Sequence, residues 1–339
     1  MRRPDERARV DWSLLGLLRF VMAFVVLCVH GAWFFAGRAP VVDQVKELGG
    51  KSAVIAFLVL SGFSIGASVE RAESGFYRRR LLRVYPSYIV AIAYTAALEA
   101  ATGGLVPVAR HVFHASGTTA LLGNVVFLQT IVVSALGFNY SLWSLAVEVV
   151  YYVLAPRLRR LATPLLVAAI AASAICFVLP TRDDRGFAYL LVSKTKILKY
   201  FWCWGLGFWL WRERRAWALL AGAAASVALV SASAETAEAF AGVPVAITFV
   251  ALWASTRVSL RPRASRLCDA LGDASYPLYL LHLPTLILGW TLGLRGAALF
   301  GLVAVATALD TFAVEWRVRP ALGRLLLARR GEPQPRAIG

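Results

Sequence analysis

The chain is short of charge and of paired cysteines, and each shortage closes off a class of protein. Only 16% of its 339 residues are charged, against 59% hydrophobic. That balance leaves too little polar surface for a water-soluble globule. Its four cysteines, Cys28, Cys176, Cys203 and Cys268, occur singly. No spacing among them suits a zinc ribbon or a redox pair, so they read as small packing residues. Of four histidines, His111 and His114 are spaced i, i+3 but lack an acidic or cysteine neighbour, and no metal is expected. Alternation of apolar and polar residues is missing too, which argues against barrel strands.

What the chain has instead is a series of continuous apolar runs, each close to the ~20 residues that span ~30 Å of hydrocarbon. They fall at roughly 12–35, 52–70, 84–103, 142–157, 164–180, 196–211, 216–232, 243–258, 275–292 and 297–316. The first is too long for a signal peptide and contains Arg19, so it reads as an uncleaved span. The expected fold is an all-α membrane protein of about ten transmembrane helices, with N- and C-termini cytoplasmic.

One further apolar stretch, "ALLGNVVFLQTIVVSAL" at 120–136, complicates the count. If it skims the outer face, 25 of the 36 Lys and Arg lie inside and ten outside, with Arg19 in a span. If it crosses, every later loop flips and the split becomes 15 inside against 20 outside. The positive-inside rule favours the first arrangement. The organisation expected is a basic cytoplasmic N-terminus at 1–11, a ten-span membrane domain at 12–316 and a basic cytoplasmic tail at 317–339, with 104–141 an outer, partly membrane-skimming segment. The net charge of +17 sits in clusters such as "RRRLLR" and "RERR" between apolar runs. Topology accounts for that pattern, and no nucleic-acid partner is expected.

Polar residues within the runs carry the functional signal, because a charge at mid-membrane costs about 2.5–3.5 kcal/mol on insertion scales. Arg19 and His30 are eleven residues apart. On an α-helix that interval returns to within ~20° of the same face while climbing ~16 Å, so the two define one polar stripe. Read singly, each also suits a snorkelling arginine and a structural histidine. Arg80 and Arg83, one turn apart before the third span, can grip phosphates bidentately, or simply end a helix with positive charge. In "NYSLWSLAVEVVYY" (139–152), Glu148 follows Ser144 by one turn, with Tyr151 and Tyr152 one turn further on. Trp143 suits the interfacial aromatic belt. In "SYPLYLLHLP" (275–284), Tyr279 and His282 are spaced i, i+3.

In combination these segments resemble the membrane-bound acyltransferase-3 family, whose members O-acylate extracytoplasmic glycans, peptidoglycan precursors or natural products. Arg19 and His30 match its leading motif, and "FLVLSGFSIG" (57–66) its Phe-x-x-Ser-Gly-Phe element. "RLLRVYP" (80–86) matches its Arg-x-x-Arg and Tyr-Pro element, and "YSLWSLAVEVVYY" (140–152) its Ser-Leu-Trp-Ser-Leu-x-x-Glu signature. "SYPLYLLHLP" is similar to its Tyr-x-x-Tyr-Leu-x-His segment, and "EWRVRP" (315–320) to its closing Glu-x-x-x-x-Pro. The matches run in family order from residue 17 to 320. The hydrolase domain that some members carry after the membrane region is not expected in this chain.

The resemblance implies an acyl-CoA donor, most simply acetyl-CoA, on the cytoplasmic side, and a glycan or other hydroxyl-bearing acceptor presented from the far side of the plasma membrane. Acyl transfer needs a positioned donor, a base for the hydroxyl proton and stabilisation of the oxyanion. Arg80, Arg83 and Tyr85, with Arg19 next along the path, are expected to hold the donor. His30 is the expected base or transient acyl carrier. Glu148 is either its orienting partner or a hydrogen-bond anchor for the acceptor. Ser61, Ser144, Trp143, Tyr279 and His282 are expected to line the substrate pocket. The alternative is a proton-coupled secondary transporter, since intramembrane Arg, His and Glu also build proton relays. That class predicts inverted repeats, which are not evident here.

Overall fold

A computed structural model of the chain describes residues 10–35, 37, 39–179 and 196–327. Most of the basic N-terminus, the end of the basic tail and the first lysine of "KTKILK" lie outside the described residues. The helices are α1 (Trp12–Gly31), α2 (Pro40–Lys46), α3 (Gly50–Arg71), α4 (Phe76–Ala101), α5 (Thr118–Val125), α6 (Trp143–Arg160) and α7 (Thr163–Val178). They continue with α8 (Lys196–Glu213), α9 (Ala216–Ala232), α10 (Gly242–Ser255), α11 (Pro262–Thr291), α12 (Ala297–Asp310) and α13 (Arg319–Leu327). A π-helical stretch, Thr311–Val318, joins the last two. Among the described residues the only sheet is an antiparallel hairpin of β1 (Leu105–Val108) and β2 (His111–His114).

The protein is therefore all-α in class, and each of the ten apolar runs falls on helix. Among the described residues, four helical stretches are long and apolar enough to cross a membrane, at 12–34, 50–71, 76–101 and 297–326, against the ten spans expected from hydropathy. The apolar helices α7, α9 and α10 are shorter. Some helices begin well before their apolar runs: α4 starts at Phe76, so the arginines of "RRRLLR" are helical rather than loop residues. Arginine is a good helix former and does not end a helix by itself.

Glycines bring some helices into backbone contact. A Cβ on Gly62 of α3 would lie 1.9 Å from the Trp204 carbonyl oxygen of α8, and one on Gly207 of α8 would lie 2.0 Å from the Val59 carbonyl oxygen. At Gly272 of α11 a Cβ would come within 2.8 Å of the Gly16 Cα of α1. Such backbone contact substitutes for hydrophobic driving force between helices in lipid. The α1–α11 contact has a functional consequence, because both helices carry a histidine further along.

The 120–136 stretch is not one helix. α5 ends at Val125, eight residues long and too short to cross a bilayer. Two fully buried amides hold the chain that follows. The Asn124 side chain donates to the Ala120 and Ser134 carbonyls, and Gln129 donates to the Tyr88 hydroxyl and the Leu142 carbonyl.

At one end of the bundle, Glu235 joins three elements. Its carboxylate accepts from Lys199 of α8 at 2.5 Å and from Lys51 of α3 at 3.1 Å, with the Tyr200 hydroxyl at 3.2 Å. Burial by itself would raise this carboxyl, but the hydrogen bonds from Lys199 and Lys51 outweigh it and hold the group at about 2. A depressed carboxyl contributes stability above its free value near ~4.3, and that contribution disappears as pH falls toward 2. Lys199 is only 4% exposed, so Glu235→Ala strands a buried cation and costs on the order of 3 kcal/mol. Thermal melts of the solubilised protein at neutral pH check this, and an unchanged midpoint would refute it.

Candidate active site

Arg19 lies in the second turn of α1, and its Nη2 donates to the Ser64 hydroxyl of α3 at 2.6 Å. It opens onto a cavity between α1, α3, α4, α6 and α11, with about 110 Å³ open to the centre of a water molecule. That is room for several ordered waters or for a narrow, flexible chain. The polar wall is formed by Arg19, Arg80, Arg83, Ser61, Glu148 and Tyr152, with Ser144 and Tyr279 nearby. Val54, Phe57, Leu58, Ile65, Val84 and Leu145 make the apolar wall.

The three arginines of the cavity differ in what they hold. Arg83 donates to Glu315 at 2.6 Å, and Glu315, 1% exposed, also accepts from Ser87 at 3.0 Å and from Arg319. Arg83 is thus bound into a protein ion pair. Arg80 donates to the Ser68 hydroxyl at 3.0 Å and lies over the Phe76 ring, and its buried Nε has no hydrogen-bond partner among the described residues. Neither Arg19 nor Arg80 has an ion-pair partner within 4 Å among the described residues. The nearest negative charge on the wall is Glu148, whose Oε1 accepts from the Tyr152 hydroxyl at 2.5 Å. Two unpaired guanidiniums facing one carboxylate make a site suited to an anion.

Tyr279 of α11 links this cavity to a second polar centre. Its hydroxyl donates to the Ser141 carbonyl at 2.9 Å and lies 2.6 Å from the Ser144 hydroxyl. Its backbone carbonyl accepts from His282 Nδ1 at 2.8 Å. His282 Nε2 in turn lies 2.7 Å from His30 Nδ1. The two imidazoles are within 5° of coplanar, with centroids 5.0 Å apart. A hydrogen bond this short at that separation places them end to end in a shared plane, not face to face. Trp33 and Tyr140 flank the His30 ring at 5.0 and 5.3 Å. Pro284, two residues past His282, removes the amide that would pair the Leu280 carbonyl, and Asn139 Nδ2 supplies that bond at 2.9 Å.

An arginine-lined cavity is thus linked through Tyr279 to a buried histidine pair, with the motifs in order along the chain. The sequence matches the acyltransferase domain model of the acyltransferase-3 family over residues 13–314. The chain belongs to the acyltransferase-3 family. Among curated proteins, acyltransferase MdmB of Streptomyces mycarofaciens is 27% identical over 352 residues, covering 87% of each chain. No solved structure matches.

Within this membrane acyltransferase, the cavity brings together seven of the residues that sequence reasoning singled out: Arg19, Ser61, Arg80, Arg83, Ser144, Glu148 and Tyr279. His30 and His282 form their own pair just beyond Tyr279. Two others lie elsewhere. Tyr85 packs its ring against Tyr88 and Phe127. Trp143 packs against Tyr200 at 5.1 Å, under the Lys196 ammonium at 4.3 Å. Sequence reasoning gave no role to Ser64, Ser68, Tyr152 or Glu315. For Glu315 a signal existed, since an acid in an apolar run marks a site by default.

The expected link from Glu148 to His30 is not made. Glu148 bonds Tyr152, and the Nδ1 of His30 is engaged by His282. Glu148→Gln is accordingly expected to change the donor KM and its salt dependence, with less than about tenfold effect on kcat at saturating donor. A hundredfold loss of kcat with unchanged KM would restore Glu148 to the chemistry.

Proposed function

We propose that this membrane acyltransferase moves an acyl group, acetyl in the simplest case, from cytoplasmic acyl-CoA to a hydroxyl of an extracytoplasmic glycan or related acceptor. The observation that carries the reading is the cavity wall holding Arg19 and Arg80 without ion-pair partners, leading by way of Tyr279 to His30. The guanidiniums suit the phosphates of a CoA thioester, and the apolar wall suits its slender pantetheine arm. His30 removes the acceptor hydroxyl proton as the new C–O ester bond forms and the thioester C–S bond breaks. The proton ends on the departing thiolate, so atoms and charge balance.

The topology that fits this task has ten spans in the plasma membrane with both termini cytoplasmic. The brevity of α5 supports a surface position for 120–136, which keeps the basic clusters on the inner side. Arg19 then lies near the cytoplasmic end of α1 and His30 near the outer end. Purified protein in lipid nanodiscs, given acetyl-CoA and a surface-glycan or secreted-product extract, is expected to release free CoA thiol in step with an acetyl mass increment on one product. Thiol release dependent on neither extract, or solute counterflow without thiol release, would overturn the assignment.

A further inference from the structure

We propose that His282 is a positioning residue: it fixes the tautomer of His30 so that Nε2, and not Nδ1, is the basic nitrogen. The inference rests on the reading of His30 as base and adds the group that orients it. Two carbonyl oxygens, which can only accept, fix the protonation of the pair. His282 Nδ1 lies 2.8 Å from the Tyr279 carbonyl oxygen and 3.2 Å from the Leu278 carbonyl oxygen. A nitrogen facing two carbonyls must carry the hydrogen. In the neutral ring the other nitrogen is then a bare lone pair, so His282 Nε2 accepts. His30 Nδ1, 2.7 Å away, must therefore donate, which leaves His30 Nε2 without a proton.

The chain of bonds does two things. It holds the His30 ring in plane with that of His282, with Trp33 and Tyr140 against it. It also provides for the charge that forms when Nε2 takes a proton. The Nδ1 proton can then move along the 2.7 Å bond to His282, whose far nitrogen already faces the Tyr279 and Leu278 carbonyl dipoles. No carboxylate hydrogen-bonds either ring among the described residues, so backbone carbonyls take the orienting part that an Asp or Glu plays in other base pairs.

Steady-state kinetics of His282→Leu and His282→Gln, with thermal melts and donor binding as structural controls, test the assignment. Leucine removes the acceptor, and kcat is expected to fall about 100-fold with both KM values within about twofold of the parent. Glutamine places an amide oxygen where Nε2 was and is expected to recover at least about tenfold over leucine. If the leucine variant fails to fold, the comparison passes to His282→Gln against His282→Asn, whose oxygen falls one methylene short: glutamine active and asparagine impaired supports the proposal. Equal rates for glutamine and its comparison variant, or a leucine variant within about threefold of the parent, overturn it. His30→Ala separates the two layers. A dead His30→Ala beside a fully active His282→Leu defeats only the positioning role, whereas an active His30→Ala defeats the base assignment itself.

Discussion

His30→Ala is expected to lower acyl transfer by about 10³-fold or more while donor binding and folding persist. General-base catalysis is worth roughly 10²–10⁴ in rate, and this variant removes the only free imidazole nitrogen in the buried pair along with the ring that carries it. Donor affinity is expected to hold because His30 is not part of the cavity wall where Arg19 and Arg80 lie. Folding is expected to hold because the ring is flanked by Trp33 and Tyr140 and makes no ion pair, so the loss is one hydrogen bond and a small cavity. Turnover at saturating donor, measured beside donor binding on the same preparation, checks it. Turnover within tenfold of the parent would remove His30 from the chemistry.

The second large effect separates two arginines that the motif presents as equals. Arg80→Ala is expected to raise the donor KM by about 10–100-fold with little change in melting temperature. A charge-assisted hydrogen bond is worth roughly 1.5–3 kcal/mol, and Arg80 lines the cavity without an ion-pair partner among the described residues. Arg83→Ala is expected to act on stability instead, by about 3 kcal/mol, because it deprives the buried Glu315 carboxylate of its 2.6 Å partner. Arg319 and Ser87 still reach Glu315 and keep the loss toward the low end of what a broken buried pair costs. Parallel melts and donor titrations distinguish the two. An Arg80→Ala variant with the parental KM, or an Arg83→Ala variant with parental stability and a raised KM, would reverse the assignment.

Both predictions depend on contacts that span most of the chain, and that explains which features were legible beforehand. The helical segments were readable because hydropathy along a run and the 3.6-residue repeat are local quantities, set by neighbours in sequence. Arg19 and His30 could be aligned for the same reason, being on one helix. Ser144, Glu148 and Tyr279 were picked out as polar groups within apolar runs, where each needs a partner, and Ser61 by the family resemblance. Their partners were another matter. The bond from His30 to His282 crosses 252 positions and that from Arg83 to Glu315 crosses 232.

Sequence alone thus determined the all-α class of the protein, the helical character of its apolar runs and the set of polar side chains that lie within them. Tertiary structure alone decided which of those side chains meet. Gly16 against Gly272 lets α1 and α11 touch and so brings two histidines into one plane, and Glu315 returns from the far end of the chain to claim Arg83, while Arg80 has no ion-pair partner among the described residues. The physical reason is that a buried polar group must be satisfied but does not specify by whom; the answer depends on which helix faces pack together, and that is settled by close fit between distant segments.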